Sequence, residues 1–317
     1  MEFAIAGTVT RDRVVAAAGD THTSLGGILY NALALARCAE PGDVIRPIGR
    51  AGEDDRDEIA ALFAACPAID ASGMRFLPGG SNAVTLTYTS DAARIETVED
   101  RVGSLSDEEL LGAARADFLL ANLISGWDFT PAQIARAARG GARVLLDVQS
   151  VTLSRPLADG TRAYRAVPQW REWCAPVEVL KGNDAEISWF TGLPLAEPRD
   201  FERAADAVFE CGPRVVAVTL DARGVFIAAH DGLGGRPRAR ARFVAAVPGV
   251  CVADTTGCGD SFASGFLAEY ARTGDALRAA CAGNALAALV AATRGLGPLL
   301  SLPDPAPLRE RLLRELG

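Results

Sequence analysis

The chain has 317 residues, 49% of them hydrophobic and 23% charged, with a formal net charge of −8. That is an ordinary globular balance, and the excess of acid argues against nucleic acid as a partner, since such binding needs many phosphate-neutralising Lys and Arg. No window approaches the ~18 uncharged apolar residues of a membrane span, so no membrane partner is expected, and the length suits one large α/β domain or two smaller ones.

The N-terminus lacks a basic start followed by a long apolar stretch, so no secretory leader is expected. It reads as a first buried strand, Phe3 to Ala6, ending in a glycine turn. Next come residues 11–25, and then two runs that alternate apolar and polar side chains, Asn82 to Thr89 and Ala93 to Asp100. Alternation means a sheet with one wet face. Residues 11–25 and 75–100 are therefore expected to form a small β lid over the mouth of the domain. Further along, Pro131 to Arg139, Ala185 to Thr191 and Phe201 to Glu210 read as helices. Between and after them, Val144 to Val148, Val177 to Leu180 and Val215 to Thr219 read as buried strands. This order predicts an α/β fold with a mainly parallel central sheet and helices on both faces. With no long linker and no repeat, residues 1–317 are expected to be a single domain. The basic run Arg236 to Arg242 reads as a solvated loop or strand edge.

Seven cysteines, at 38, 66, 174, 211, 251, 258 and 281, are scattered without a C-x-x-C pair. They fit free thiols in a reducing cytoplasm rather than a disulfide frame. The two histidines, His22 in a polar loop and His230 at a strand end, lie far from any cysteine. A His/Cys metal site and a Ser-His-Asp triad are poor expectations. No G-x-G-x-x-G follows the first strand, which argues against a dinucleotide site.

The most informative stretch is Asp254-Thr-Thr-Gly-Cys-Gly-Asp-Ser-Phe-Ala-Ser-Gly-Phe266. Glycines let a backbone turn sharply and let a ligand approach its N–H groups. Those groups open a helix read from Asp260 to Tyr270, and a helix N-terminus favours anions. Asp260 reads as a helix cap on helix grammar alone. The glycines flanking Cys258 are not needed for capping and suggest more. A carboxylate beside an anion hole can take a proton from a hydroxyl while the hole steadies a transferring phosphoryl group.

This stretch resembles the D-T-x-G-A/C-G-D signature of the ribokinase-like (PfkB) carbohydrate kinase family. Four further segments match in the family's order: Gly7 to Asp12, Gly26 to Ala36, Ile48 to Asp54, and Lys181 to Gly192. The resemblance covers nearly the whole chain and implies a ribokinase-like fold. It also implies an ATP-dependent kinase that phosphorylates a hydroxyl of a small polyol, whether sugar, cyclitol or nucleoside. The other readings are a nucleoside-specific kinase and a catalytically silent binding or regulatory protein on the same fold.

Carried over residue by residue, the resemblance makes Asp260 the base and the backbone of Gly257, Cys258 and Gly259 the anion hole. The Cys258 thiol is read as a small filler. Asn183 and Glu186 match an N-x-x-E element, with Glu186 holding Mg²⁺ through water and Asn183 equally suited to cap a helix. Thr219, Gly224 and Asn284 match nucleotide positions, although Asp221 stands where a glycine is usual. Asn284 reads nearly as well as a polar residue in an Ala-rich helix. Asp254 and Thr256 match positions that help bind K⁺ in several members. Asp12, Gly26, Gly27 and Asn31 match substrate-hydroxyl contacts, and Asn82 and Arg94 would lie on the lid. Gln149 departs from a common D-x-N pattern. Trp127 either stacks on a ligand or packs in the core, and packing is the plainer reading. A homodimer through the β lid is also implied.

Overall fold

The computed structural model describes residues 1–15, 19, 21–90, 93–233 and 241–316, with the side chains at 88–90, 93 and 94 outside the description. In chain order the strands and helices are β1 (Glu2–Val15), β2 (Thr21–Gly27), α1 (Ile28–Arg37), β3 (Val44–Gly52), α2 (Arg56–Ala64), β4 (Met74–Leu77), β5 (Asn82–Ser90), β6 (Ala93–Glu99) and α3 (Asp107–Leu110). They continue with β7 (Phe118–Asn122), α4 (Pro131–Arg139), β8 (Arg143–Asp147), α5 (Trp170–Cys174), β9 (Val179–Asn183), α6 (Asp184–Thr191), α7 (Pro198–Phe209) and β10 (Val215–Thr219). The last are β11 (Val225–Ala229), β12 (Ala241–Val244), α8 (Cys258–Thr273), α9 (Ala276–Ala291) and α10 (Ala306–Leu316).

The main sheet runs β12-β11-β10-β9-β8-β7-β1-β3-β4. It is parallel from β10 to β4, with β11 and β12 antiparallel at one edge. Its strands are apolar on both faces because both are covered. Phe3 and Ile5 of β1 join the core under α1, α8 and α9, whereas Ala4 and Ala6 join the core under α4, α6 and α7. The α/β reading with helices on both faces is what the chain adopts.

The expected glycine turn after Ala6 does not occur. β1 runs on through Gly7 to Val15, pairing first with β3 and β7 and then with β2 and β5. Gly7 is small for packing rather than for turning: a Cβ there would lie 2.5 Å from Ile28 Cγ2 and 2.7 Å from the Asn122 carbonyl oxygen. One strand thereby belongs to two sheets, the second ordered β2-β1-β5-β6. Its inner face carries Asp12, Val14, Leu86 and Val98, all buried, while Arg13 and Thr21 on the other face are exposed. His22 lies on β2 rather than in a loop. Residues 75–77, expected in the lid, pair with β3 in the main sheet instead. The basic residues 236–240 lie outside the described residues.

Strand ends build the site. Asn122, Asp147 and Lys181 occupy one register row across β7, β8 and β9 at the C-terminal edge of the sheet. Ligands in open parallel sheets bind at this edge.

Candidate active site

α8 starts beside that row. Its N-cap, Gly257, has φ 77, a left-handed conformation that side chains resist. A Cβ there would also lie 2.1 Å from the Tyr30 ring, so both backbone and neighbour require glycine. The Cys258 N–H donates to the Thr255 carbonyl at 3.2 Å. Of the three expected anion-hole residues, Cys258 therefore spends its N–H within the turn. The Cys258 thiol packs toward the Ala287 carbonyl at 3.7 Å. Burial, then Asp254 and Asp260, pushes it up to about 12, so it stays protonated, as a filler would.

Asp260 is fixed from two sides. Its Oδ1 accepts from Asn122 Nδ2 at 2.7 Å, and its carbonyl accepts from Asn31 Nδ2 at 2.9 Å. Asn31 Oδ1 in turn accepts from Asn122 Nδ2 at 2.9 Å. Asn31 is fully buried with both ends of its amide engaged. It supports the carboxylate instead of standing free for a substrate hydroxyl. Burial raises Asp260 to about 6, helped by Asp147 and opposed by Lys181 and the Asn122 hydrogen bond.

Lys181 Nζ donates to Asp147 Oδ2 at 2.7 Å, with both side chains almost wholly buried. The same nitrogen lies 3.2 Å from where a Cβ on Gly259 would sit. Burial alone would lower the lysine pKa, but Asp147, Glu186 and Asp260 together raise it, so the ammonium stays charged beside the glycine loop. Asp147 Oδ1 is buried without a hydrogen-bond partner among the described residues. Neither residue stands out in the sequence, where Lys181 only opens the segment Lys181 to Gly192. Its signal was position, near the end of a strand read as buried.

Asn183 caps α6 reciprocally with Glu186. The Asn183 N–H donates to Glu186 Oε2 at 2.7 Å and the Glu186 N–H to Asn183 Oδ1 at 2.8 Å. Burial, with Asp147 adding and Lys181 opposing, raises Glu186 to about 7. Its Oε1 takes no part in that cap. Among the described residues no group of three or more His, Cys, Asp and Glu side chains is set to hold a metal directly. Asp254 Oδ1 accepts the Thr256 N–H at 2.9 Å, and its Oδ2 lies 3.8 Å from His22 Nε2.

Asp12 faces the same space from β1, and a Cβ on Gly26 would meet its Oδ2 at 2.1 Å. Gly27 likewise leaves room for the Thr8 carbonyl. Both glycines act here through what they let approach. Burial raises Asp12 to about 7, opposed by a Thr10 hydrogen bond and reinforced by Asp260, Glu96 and Asp254. Asn82 accepts the N–H groups of Arg101 at 2.7 Å and Val102 at 3.0 Å through Oδ1, leaving its buried Nδ2 without a partner among the described residues. Arg94 pairs with Tyr88 through β6, and its side chain lies outside the described residues.

Two of the expected nucleotide positions, Gly224 and Asn284, meet at residues 244–246. Asn284 Nδ2 donates to the Ala245 carbonyl at 3.0 Å, fastening α9 to that segment. A Cβ on Gly224 would meet the Val244 carbonyl at 2.0 Å. Thr219 closes β10 near Gly182. Asp221 is exposed and has φ 49, in the left-handed region where a glycine would be unstrained. Asp221→Gly is expected to raise stability by roughly 1 kcal/mol. A melting temperature at or below wild type would mean that the carboxylate makes a compensating contact. Trp127 is half-buried, and its ring carries Arg155 at 4.0 Å and Arg162 at 5.2 Å.

A sequence model described as pfkB family carbohydrate kinase matches residues 12–303. An ATP-dependent ribose-1-phosphate kinase of Halopiger xanaduensis is 29% identical over 255 residues, covering 78% of this chain and 74% of that protein. The ribokinase of Arabidopsis thaliana, solved with ribose and ATP, superposes with a TM-score of 0.74 at 18% identity, covering 98% of each chain. A pyrophosphate-dependent kinase in the ribokinase family, solved with a pyrophosphate analog and myo-inositol, gives a TM-score of 0.73 at 15% identity, covering 93% of this chain and 96% of that one. At such identities the structural likeness shows the fold.

Proposed function

The chain belongs to the pfkB family of carbohydrate kinases, phosphotransferases with an alcohol group as acceptor, and on that premise we propose that it transfers the γ-phosphoryl group of ATP to a hydroxyl of a small sugar, cyclitol or nucleoside, with Asp260 as base. The observation that carries this reading is Asp260 itself, held by Asn122 at 2.7 Å in the first turn of α8, next to Gly259 and Lys181. The acceptor hydroxyl donates to the free side of the Asp260 carboxylate, which takes its proton as the oxygen attacks. First-turn N–H groups and the Lys181 ammonium face the charge that builds on the transferring phosphoryl group. Asn122 and Asn31 keep the carboxylate aimed. Asp12 and Asn82 Nδ2 offer hydrogen bonds to further hydroxyls.

The residues fit a hydrated Mg²⁺. Glu186 has a carboxylate oxygen outside its capping bond, and Asp147 has an orphaned one. Bound there through water, Mg²⁺ would neutralise donor phosphates. Asp254 and Thr256 are the candidates for K⁺, which would rely on backbone carbonyls because Asp254 Oδ1 already serves Thr256. Asn183, Thr219, Gly224 and Asn284 frame the donor side. The second sheet would act as the lid, and Ile95, 48% exposed on its outer face, suits a contact with a second copy of the chain. No helix among the described residues is long and apolar enough to cross a membrane.

The test is a coupled assay for donor cleavage with Mg²⁺ over a panel of sugars, inositols and nucleosides, run with ATP or pyrophosphate and with or without K⁺. Turnover with ATP on one acceptor class, absent in Asp260→Asn, is the expected result. No turnover under any condition, together with no ATP binding, would favour a silent binding protein.

A further inference from the structure

Residues 149–168 leave the end of β8 and lie against the second sheet. Thr161 bridges Thr97 on β6, and the Val98 N–H donates to the Gly160 carbonyl at 3.0 Å. This segment carries Arg162, whose side chain is only 1% exposed. Nε donates to the Ser154 carbonyl at 2.9 Å, and Nη2 donates to the carbonyls of Ser125 at 2.8 Å and Ser150 at 3.1 Å. Nη1 points the other way, to Glu96 Oε1 on β6 at 3.2 Å. Three carbonyls thus fix the guanidinium, and a single carboxylate from the other sheet balances its charge.

Glu96 is on the inner face. It sits opposite Leu86, which is in line with Val14, two residues from Asp12 on the same face of β1. The space between the sheets is therefore walled by Asp12 and Glu96 on one side and by Asp254 and Asp260 on the other. These carboxylates act on one another: Glu96 is among the groups that raise Asp12. Arg155, the second arginine over Trp127, is 61% exposed and paired with Asp100 at 3.2 Å. Arg162 is thus a buried cation on this wall, and Glu96 occupies the side that the carbonyls leave open.

We propose that Glu96 is a specificity-determining residue: by occupying Arg162 Nη1 it makes the acceptor pocket one for an uncharged polyol and closes it to phosphorylated acceptors. The inference rests on the kinase reading for its site but concerns recognition, so binding tests it without turnover. A phosphate dianion brought up to Arg162 meets the Glu96 carboxylate, with Asp12 on the same face, instead of a free guanidinium edge. Discrimination of this kind is built from an unfavourable juxtaposition, not from an extra contact with the preferred ligand.

The experiment compares ribose and myo-inositol with their monophosphates. Binding is measured by calorimetry without donor, and kcat/KM is measured where turnover occurs. Wild type is expected to prefer the uncharged member of each pair. Glu96→Gln keeps the shape, frees the Arg162 charge, and should narrow that preference on the order of tenfold. The double variant Glu96→Gln/Arg162→Gln, which removes both charges, should restore it. Equal binding of both members by wild type, or an unchanged ratio in Glu96→Gln folded as judged by its melting curve, would overturn the proposal. If the ratios shift as expected while no acceptor is phosphorylated, the recognition role stands and the kinase reading falls.

Discussion

Asp260→Asn should abolish turnover and at the same time make the protein more stable at neutral pH. The amide keeps the acceptor oxygen for Asn122 but cannot take a proton, and loss of a general base costs on the order of 10²–10⁴ in rate. Burial raises the folded carboxylate from its ordinary 3.8 to about 6. Folding therefore disfavours its charged form, at about 1.4 kcal/mol per pKa unit, or roughly 3 kcal/mol in all. For a raised acid the sign is that stability is greatest below the unfolded value and is lost as pH rises through the folded one. Wild type and variant should melt together near pH 4, and the variant should melt higher by pH 8. In the wild type, kcat/KM should fall as the pH drops through about 6, where Asp260 takes up its proton. Asp12 and Glu186, both near 7, add to the same limb if they must be ionised. A variant that melts below wild type at pH 8, or retains a tenth of the wild-type rate, would refute this account of the site.

Lys181→Met should be the most damaging single change to the fold near the site. Asp147 is fully buried, its Oδ2 rests on Lys181, and its Oδ1 already lacks a partner. Removing one member of a buried ion pair typically costs about 3–5 kcal/mol, because the remaining charge is stranded. The loss should shrink at acid pH, where Asp147 can take a proton. It should also be smaller in Lys181→Met/Asp147→Asn than in the single variant, the mark of a coupled pair. Lys181 also lowers the Asp260 pKa, so whatever activity survives should show its acid limb at higher pH. Urea unfolding of the three proteins measures this. A single variant within 1 kcal/mol of wild type would mean that the pair is not what holds these strand ends together.

Much of this chain is legible locally. Pro131 to Arg139 was readable as a helix, and it begins with a proline at N1 behind a Thr130–Gln133 capping box. Val215 to Thr219 was readable as a buried strand because both faces of a covered parallel sheet demand apolar side chains. The glycine-rich turn into α8 was readable because few other functions need glycines on both sides of a residue about to enter a helix. Gly7 misled because glycine has two uses. The sequence cannot tell a turn from a place where Ile28 and a neighbouring carbonyl come too close for a Cβ.

By itself, then, the sequence determined the α/β alternation, the glycine turn into α8 and the place of Asp260 in its first turn, since each depends on neighbours within a few residues. Tertiary structure alone decided that Asn122, Asp147 and Lys181 stand in one row, that Asn31 and Asn284 brace backbone instead of reaching outward, and that Glu96 meets Arg162. Those relations follow from strand register and from contacts across 39 to 229 residues of chain. Pairing over such separations is set by how whole elements pack, and no local pattern of residue types encodes it.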